Sequence, residues 1–171
     1  MEYLSENYRW LFSGIGVVVL GWIFHWWTSR NSIAQTFVAK KTKDNVRILF
    51  IDDDVRFKVV KILKTSGWVH TKLVKDVVTL SDNDLMDASI VFVDVQGVGK
   101  LLDFQEEGLG LASAIKKNYP DKKVVIYSAE TKGDRFHEAL READSFLSKN
   151  ADPYEFQQTL ESLVEELNDE S

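Results

Sequence analysis

The feature that most constrains this chain is the run Ile90-Val91-Phe92-Val93-Asp94. Four apolar residues, three of them β-branched and with no polar alternation, predict a strand buried on both faces. The run ends on a carboxylate. In an open parallel α/β sheet, ligands collect just beyond the carboxyl ends of the strands, so Asp94 is expected there, on a rigid element and presented to solvent. Ile48-Leu49-Phe50-Ile51 ends the same way, in Asp52-Asp53-Asp54. Val124-Val125-Ile126-Tyr127 ends in Ser128, and Phe146-Leu147 leads into Ser148-Lys149. Acid cluster, single acid, hydroxyl and amine each follow a short apolar run.

From Val46 onward apolar runs alternate with amphipathic ones, the pattern of a doubly wound α/β sheet. The predicted strands cover residues 46–51, 68–73, 90–94, 123–127 and 145–147. The predicted helices cover residues 55–66, 81–86, 108–118 and 131–143, with a last one from 153. Val55, Val59, Ile62 and Leu63 form the expected inner face of the first helix, Asp54 its N-cap and Gly67 its stop. Asp152-Pro153-Tyr154-Glu155 supplies the last helix with a cap, a proline at N1 and a carboxylate at N3. Phe156, Leu160, Leu163, Val164 and Leu167 are its expected buried stripe. The loop 95–107 is long for a βα connection.

Residues 10–28 contain no Asp, Glu, Lys or Arg. As a helix they would span roughly 28 Å, about the thickness of a bilayer's hydrocarbon core, with Trp10 at one end and Trp26-Trp27 at the other. The expected organisation is therefore a short extracytoplasmic N-terminus (1–9), a transmembrane helix (10–28), a tether (29–45) and a globular domain (46–168). Arg9 stands alone before the span, whereas Arg30, Lys40, Lys41 and Lys43 follow it, which by the positive-inside rule puts the domain in the cytoplasm. The expected localisation is single-pass in the inner membrane. Gly14 and Gly21 share a face without forming Gly-x-x-x-Gly, which leaves a homodimer open.

The net charge of −6 argues against nucleic acid as a partner. With no cysteine and three scattered histidines (His25, His70, His137), a metal would have to take oxygen ligands, which points to magnesium or calcium. Carboxylates converging in one cleft repel one another, and a hard divalent cation relieves that. An Asp beside such an ion can attack an activated phosphoryl group. A lysine then neutralises the developing charge, and a hydroxyl can hydrogen-bond a phosphoryl oxygen.

In these motifs the chain resembles the receiver (response-regulatory, CheY-like) domains of two-component phosphorelays, over about residues 47–167. The resemblance implies a flavodoxin-like, five-stranded parallel sheet of order 2-1-3-4-5. It implies a signalling phosphoprotein rather than an enzyme. Asp94 would be the phosphoacceptor, working with Ser128 and Lys149. Mg2+ would be held by Asp53 and Asp94, by Asp52 through water, and by the backbone carbonyl of Gln96. Ser128, followed by the small Ala129, and Phe146 would form the switch. A histidine kinase or phosphotransfer protein would be the donor and a downstream protein the target. Two features depart from the family pattern: Asn150 stands where a proline follows the lysine, and the loop after Asp94 is about six residues longer. A phosphorylation-independent pseudo-receiver is one alternative. A haloacid-dehalogenase-like phosphatase using Asp52 and Asp54 is another, which leaves Asp94 without a role.

Overall fold

The computed structural model describes residues 40–129 and 138–170. The described residues fall in the second of two units, Lys40–Ser171. The first nine residues, the expected transmembrane helix 10–28 and most of the tether lie outside the described residues. The expected inner-membrane placement is overturned: among the described residues no helix is long and apolar enough to cross a membrane. The apolar run 10–28, its flanking tryptophans and the basic residues after it carried that expectation, and nothing in the described fold adds to it.

The second unit is built from β1 (Ile48–Ile51), α1 (Lys58–Thr65), β2 (Thr71–Val74), α2 (Asn83–Asp87) and β3 (Ile90–Asp94), followed by a 3-10 turn at Lys100–Leu102. Then come α3 (Glu107–Asn118), β4 (Lys123–Ser128), α4 (Glu138–Glu142), β5 (Ser145–Ser148) and α5 (Pro153–Asp169). The five strands are all parallel, in the order β2-β1-β3-β4-β5. The strand order reverses at β1/β3, where a ligand crevice is expected.

Side-chain alternation along the strands divides the core in two. Ile48, Phe50, Ile90, Phe92, Val125 and Tyr127 face α1 and α5; Leu49, Ile51, Val91, Val93, Val124 and Ile126 face α2, α3 and α4. The first layer is aromatic at its centre. Phe50 stacks on Phe92 with ring centroids 4.3 Å apart, and Phe57, Tyr127 and Phe156 close around them. β3 is buried along its whole length, as its composition requires.

Helix α5 forms the capping box written in Asp152 and Glu155, with Phe156, Leu160, Leu163 and Val164 buried. Helix α1 differs from expectation. Asp54 does not cap it: its carboxylate accepts from Arg56 N at 3.0 Å and its carbonyl from Phe57 N, forming a turn that delays the helix to Lys58. Val55 therefore lies in that turn, 57 % exposed, and Ile62 is exposed as well, so the inner face is Val59, Val60 and Leu63. Trp68 is buried, but β2 begins only at Thr71, whose hydroxyl donates to Trp68 O.

Candidate functional site

The carboxyl ends of β1, β3, β4 and β5 bring the sequence-derived residues to one place. Asp52 follows β1, Asp94 and Ser128 are the last residues of β3 and β4, and Lys149 directly follows β5. One carboxylate oxygen from each of Asp52, Asp53 and Asp94 lies within 4.8 Å of the others. The Lys149 ammonium donates to both Asp94 Oδ2 and Asp52 Oδ1. Three acids and one base thus share a small volume. Two opposite charges held this close neutralise each other strongly only because water is largely excluded.

Asp94 is not presented to solvent as expected; it is 4 % exposed. The loop that follows it folds back over its own strand. Gly108 N donates to Val95 O, and a Cβ at Gly108 would lie 1.7 Å from Asp94 O, so only glycine permits this closure. Burial pushes the Asp94 carboxyl above its ordinary range; the Lys149 hydrogen bond and charge pull it partly back, while Asp52 adds repulsion. For Lys149, burial alone would lower the ammonium, but its bonds to Asp94 and Asp52 outweigh that and raise it.

The remaining predicted residues fall as follows. Asp53 is exposed, its carboxyl pressed against Gly97, where an added Cβ would meet it at 2.5 Å. The Gln96 side chain is exposed, and its backbone N–H is among the influences that lower the Asp94 carboxyl. Ser128 is buried, and Lys149 N donates to its carbonyl, joining β4 to the lysine's own backbone. Phe146 is 44 % exposed on β5, outside the two core clusters. Asp54, the second acid of the phosphatase alternative, is exposed and engaged with Arg56, while the three-acid group is formed by Asp52, Asp53 and Asp94.

Three residues contribute that sequence reasoning did not single out. Tyr127 donates its phenol to Asp52 Oδ2 at 2.7 Å; its only sequence signal is a hydroxyl in an otherwise apolar strand. Burial and the Asp52 charge hold that phenol well above its usual range. Asp76 accepts from the backbone N–H groups of Val77, Gly99 and Leu101, and Glu107 accepts from Gly97 N at 2.6 Å. These two carboxylates fasten the long loop beside the site, and neither carries a local signal for doing so. The Gly97 hydrogen bond holds the Glu107 carboxyl below its ordinary range.

The donor set suits a hard divalent cation: all oxygen, three carboxylates and a side-chain-free Gly97 against Asp53. Mg2+ is therefore compatible with the residues present.

No protein-family model matches this sequence, and no curated protein matches it. Among solved structures, the chain is similar to NtrX from Brucella abortus in complex with ATP, at 26 % identity and TM-score 0.56. That alignment covers 72 % of this chain but only 28 % of NtrX. The isolated receiver domain of the same NtrX aligns at 27 % identity and TM-score 0.54, over 69 % of this chain and 98 % of that one. A CheY-like response regulator receiver domain protein from Methanospirillum hungatei JF-1 aligns at 19 % identity and TM-score 0.59, over 74 % and 98 %. The structural neighbours of this chain are thus response-regulator receiver domains, and its 2-1-3-4-5 parallel sheet is the receiver fold.

Proposed function

We propose that residues 46–168 act as a phosphorelay receiver, with Asp94 as the phosphoacceptor. The observation that carries this reading is the Lys149 ammonium spanning Asp94 and Asp52, with Asp53 beside them, at the strand ends where the strand order reverses. In the proposed step an Asp94 carboxylate oxygen attacks the phosphorus of a phosphohistidine on a histidine kinase or phosphotransfer protein. An O–P bond forms and the N–P bond breaks; the departing imidazole keeps the electron pair and takes a proton from solvent. Lys149 holds Asp94 in place before transfer and offers positive charge to the phosphoryl oxygens after it. Ser128 supplies a hydroxyl at the end of the neighbouring strand, and Phe146 an exposed aromatic two residues before Ser148. Asp53 and Asp94 would hold Mg2+, with Asp52 and Gln96 completing the site. Bound there, Mg2+ would neutralise charge on the phosphoryl group. Output would pass to a downstream protein by binding.

The test is incubation of the full chain with acetyl phosphate and MgCl2, followed by intact-mass measurement. The wild type should gain one phosphoryl group that is lost on alkaline or hydroxylamine treatment, and Asp94→Asn should gain none. Equal labelling of the two would refute the assignment of Asp94. Absence of labelling in the wild type, with the fold intact, would favour the pseudo-receiver reading, which the fastened loop beside Asp53 also accommodates.

A further inference from the structure

We infer that Tyr127 is a positioning residue of the cation site, acting through Asp52 by occupying one of the two acceptor directions on Oδ2 and so weakening that oxygen as a metal ligand. This rests on the receiver reading above. A carboxylate has about four acceptor directions. At Asp52, Oδ1 accepts from Lys149 Nζ at 2.9 Å and from Asp54 N at 2.8 Å, and Oδ2 accepts from the Tyr127 phenol at 2.7 Å. One direction remains, on Oδ2. Asp52 is fully buried, so bulk water does not compete for these positions.

The phenol is itself fixed. Tyr127 is fully buried, its ring packs against Phe57 at 5.5 Å and edge-on to Phe50, and the Lys149 ammonium sits 5.8 Å from the ring centre. Its backbone carbonyl accepts from Val95 N, one residue beyond Asp94. A rigid ring on β4 therefore holds a donor against the acid that follows β1, across the intervening β3. The consequence is a division of labour among the acids. Asp52, engaged by three donors, is left a weak ligand that contributes field more than coordination. The exposed Asp53 and the strand-end Asp94 carry direct ligation.

The deletion of one oxygen tests this, because Tyr127→Phe keeps the ring and its packing. In the variant Asp52 Oδ2 is a buried acceptor without its donor, and a bound cation relieves that deficit. Isothermal titration of the full chain with MgCl2 should show Tyr127→Phe binding roughly fivefold more tightly than wild type, the equivalent of one lost hydrogen bond. The gain should vanish when Tyr127→Phe is placed in an Asp52→Asn background. Unchanged or weaker binding by Tyr127→Phe, or a gain that persists without the Asp52 carboxylate, would overturn the inference while leaving the receiver reading standing. No Mg2+ binding by the wild type would overturn both. A measurement free of variants complements this one. By NMR, the buried Tyr127 phenol proton should stay protected from exchange when Mg2+ is bound. Its loss on adding Mg2+ would show Oδ2 surrendered to the cation, and so would also overturn the inference.

Discussion

At the scale of single residues, the site depends as much on missing side chains as on present ones. Gly97 has φ +83°, a conformation that costs other residues about 1 kcal/mol. A methyl group there would also meet the Asp53 carboxyl at 2.5 Å. Asp53 is exposed and its side chain can swing aside, so the clash shifts the proposed ligand rather than unfolding the chain. Gly97→Ala should accordingly lower the melting temperature only slightly and weaken Mg2+ binding by about tenfold or more, as loss of a well-placed ligand does. Affinity held at the wild-type level would mean that Asp53 does not need its present position. The acids, the hydroxyl and the lysine were legible in the sequence because each follows a short apolar run. The glycines were not, since what they permit is a close approach between segments far apart in the chain.

At the scale of elements, legibility tracked how local the deciding forces are. Helix α5 follows its sequence signals because its capping box and apolar stripe lie within the helix itself. Strand β3 does so because a run buried on both sides has nowhere else to go. The start of α1 is displaced because Asp54 closes a turn instead of a cap, a competition between two uses of one short acid that pattern alone does not decide. The loop after Asp94 is the largest departure. Its length is readable, but its order comes from Asp76, over twenty residues earlier, and from Glu107 at φ +50°. Asp76→Ala leaves the Gly99 and Leu101 amides without their acceptor and should cost about 2 kcal/mol. Hydrogen exchange at those two amides should then accelerate relative to β3. Equal protection in wild type and variant would show that the loop is held by other contacts.

For the molecule as a whole, the unusual groups converge on one alkaline window. The folded state raises Lys149, through Asp94 and Asp52, and Lys123, through Glu170, Glu166 and Asp144 at the opposite end of the sheet. It also raises Tyr127, through burial and the Asp52 charge. In each case the native state holds a proton that the unfolded chain releases near pH 10 to 10.5. The stabilisation is complete below that pH and is lost as pH climbs toward the folded values. Each such proton contributes a slope of about 1.4 kcal/mol per pH unit. Lys122, whose ammonium burial lowers, opposes this trend, but its effect is spent by the time pH reaches 10.5. Melting temperature should therefore fall steeply above about pH 10. Tyr127→Phe removes one of the three protons, so above pH 10 its stability should decline more gently than that of the wild type, even where the variant starts from a lower value. Denaturant unfolding between pH 9 and 11.5 reads both slopes directly. Parallel curves would mean that the phenol gives up its proton in the folded state, and the bond that ties β4 to the acid after β1 would be far weaker than its 2.7 Å length implies.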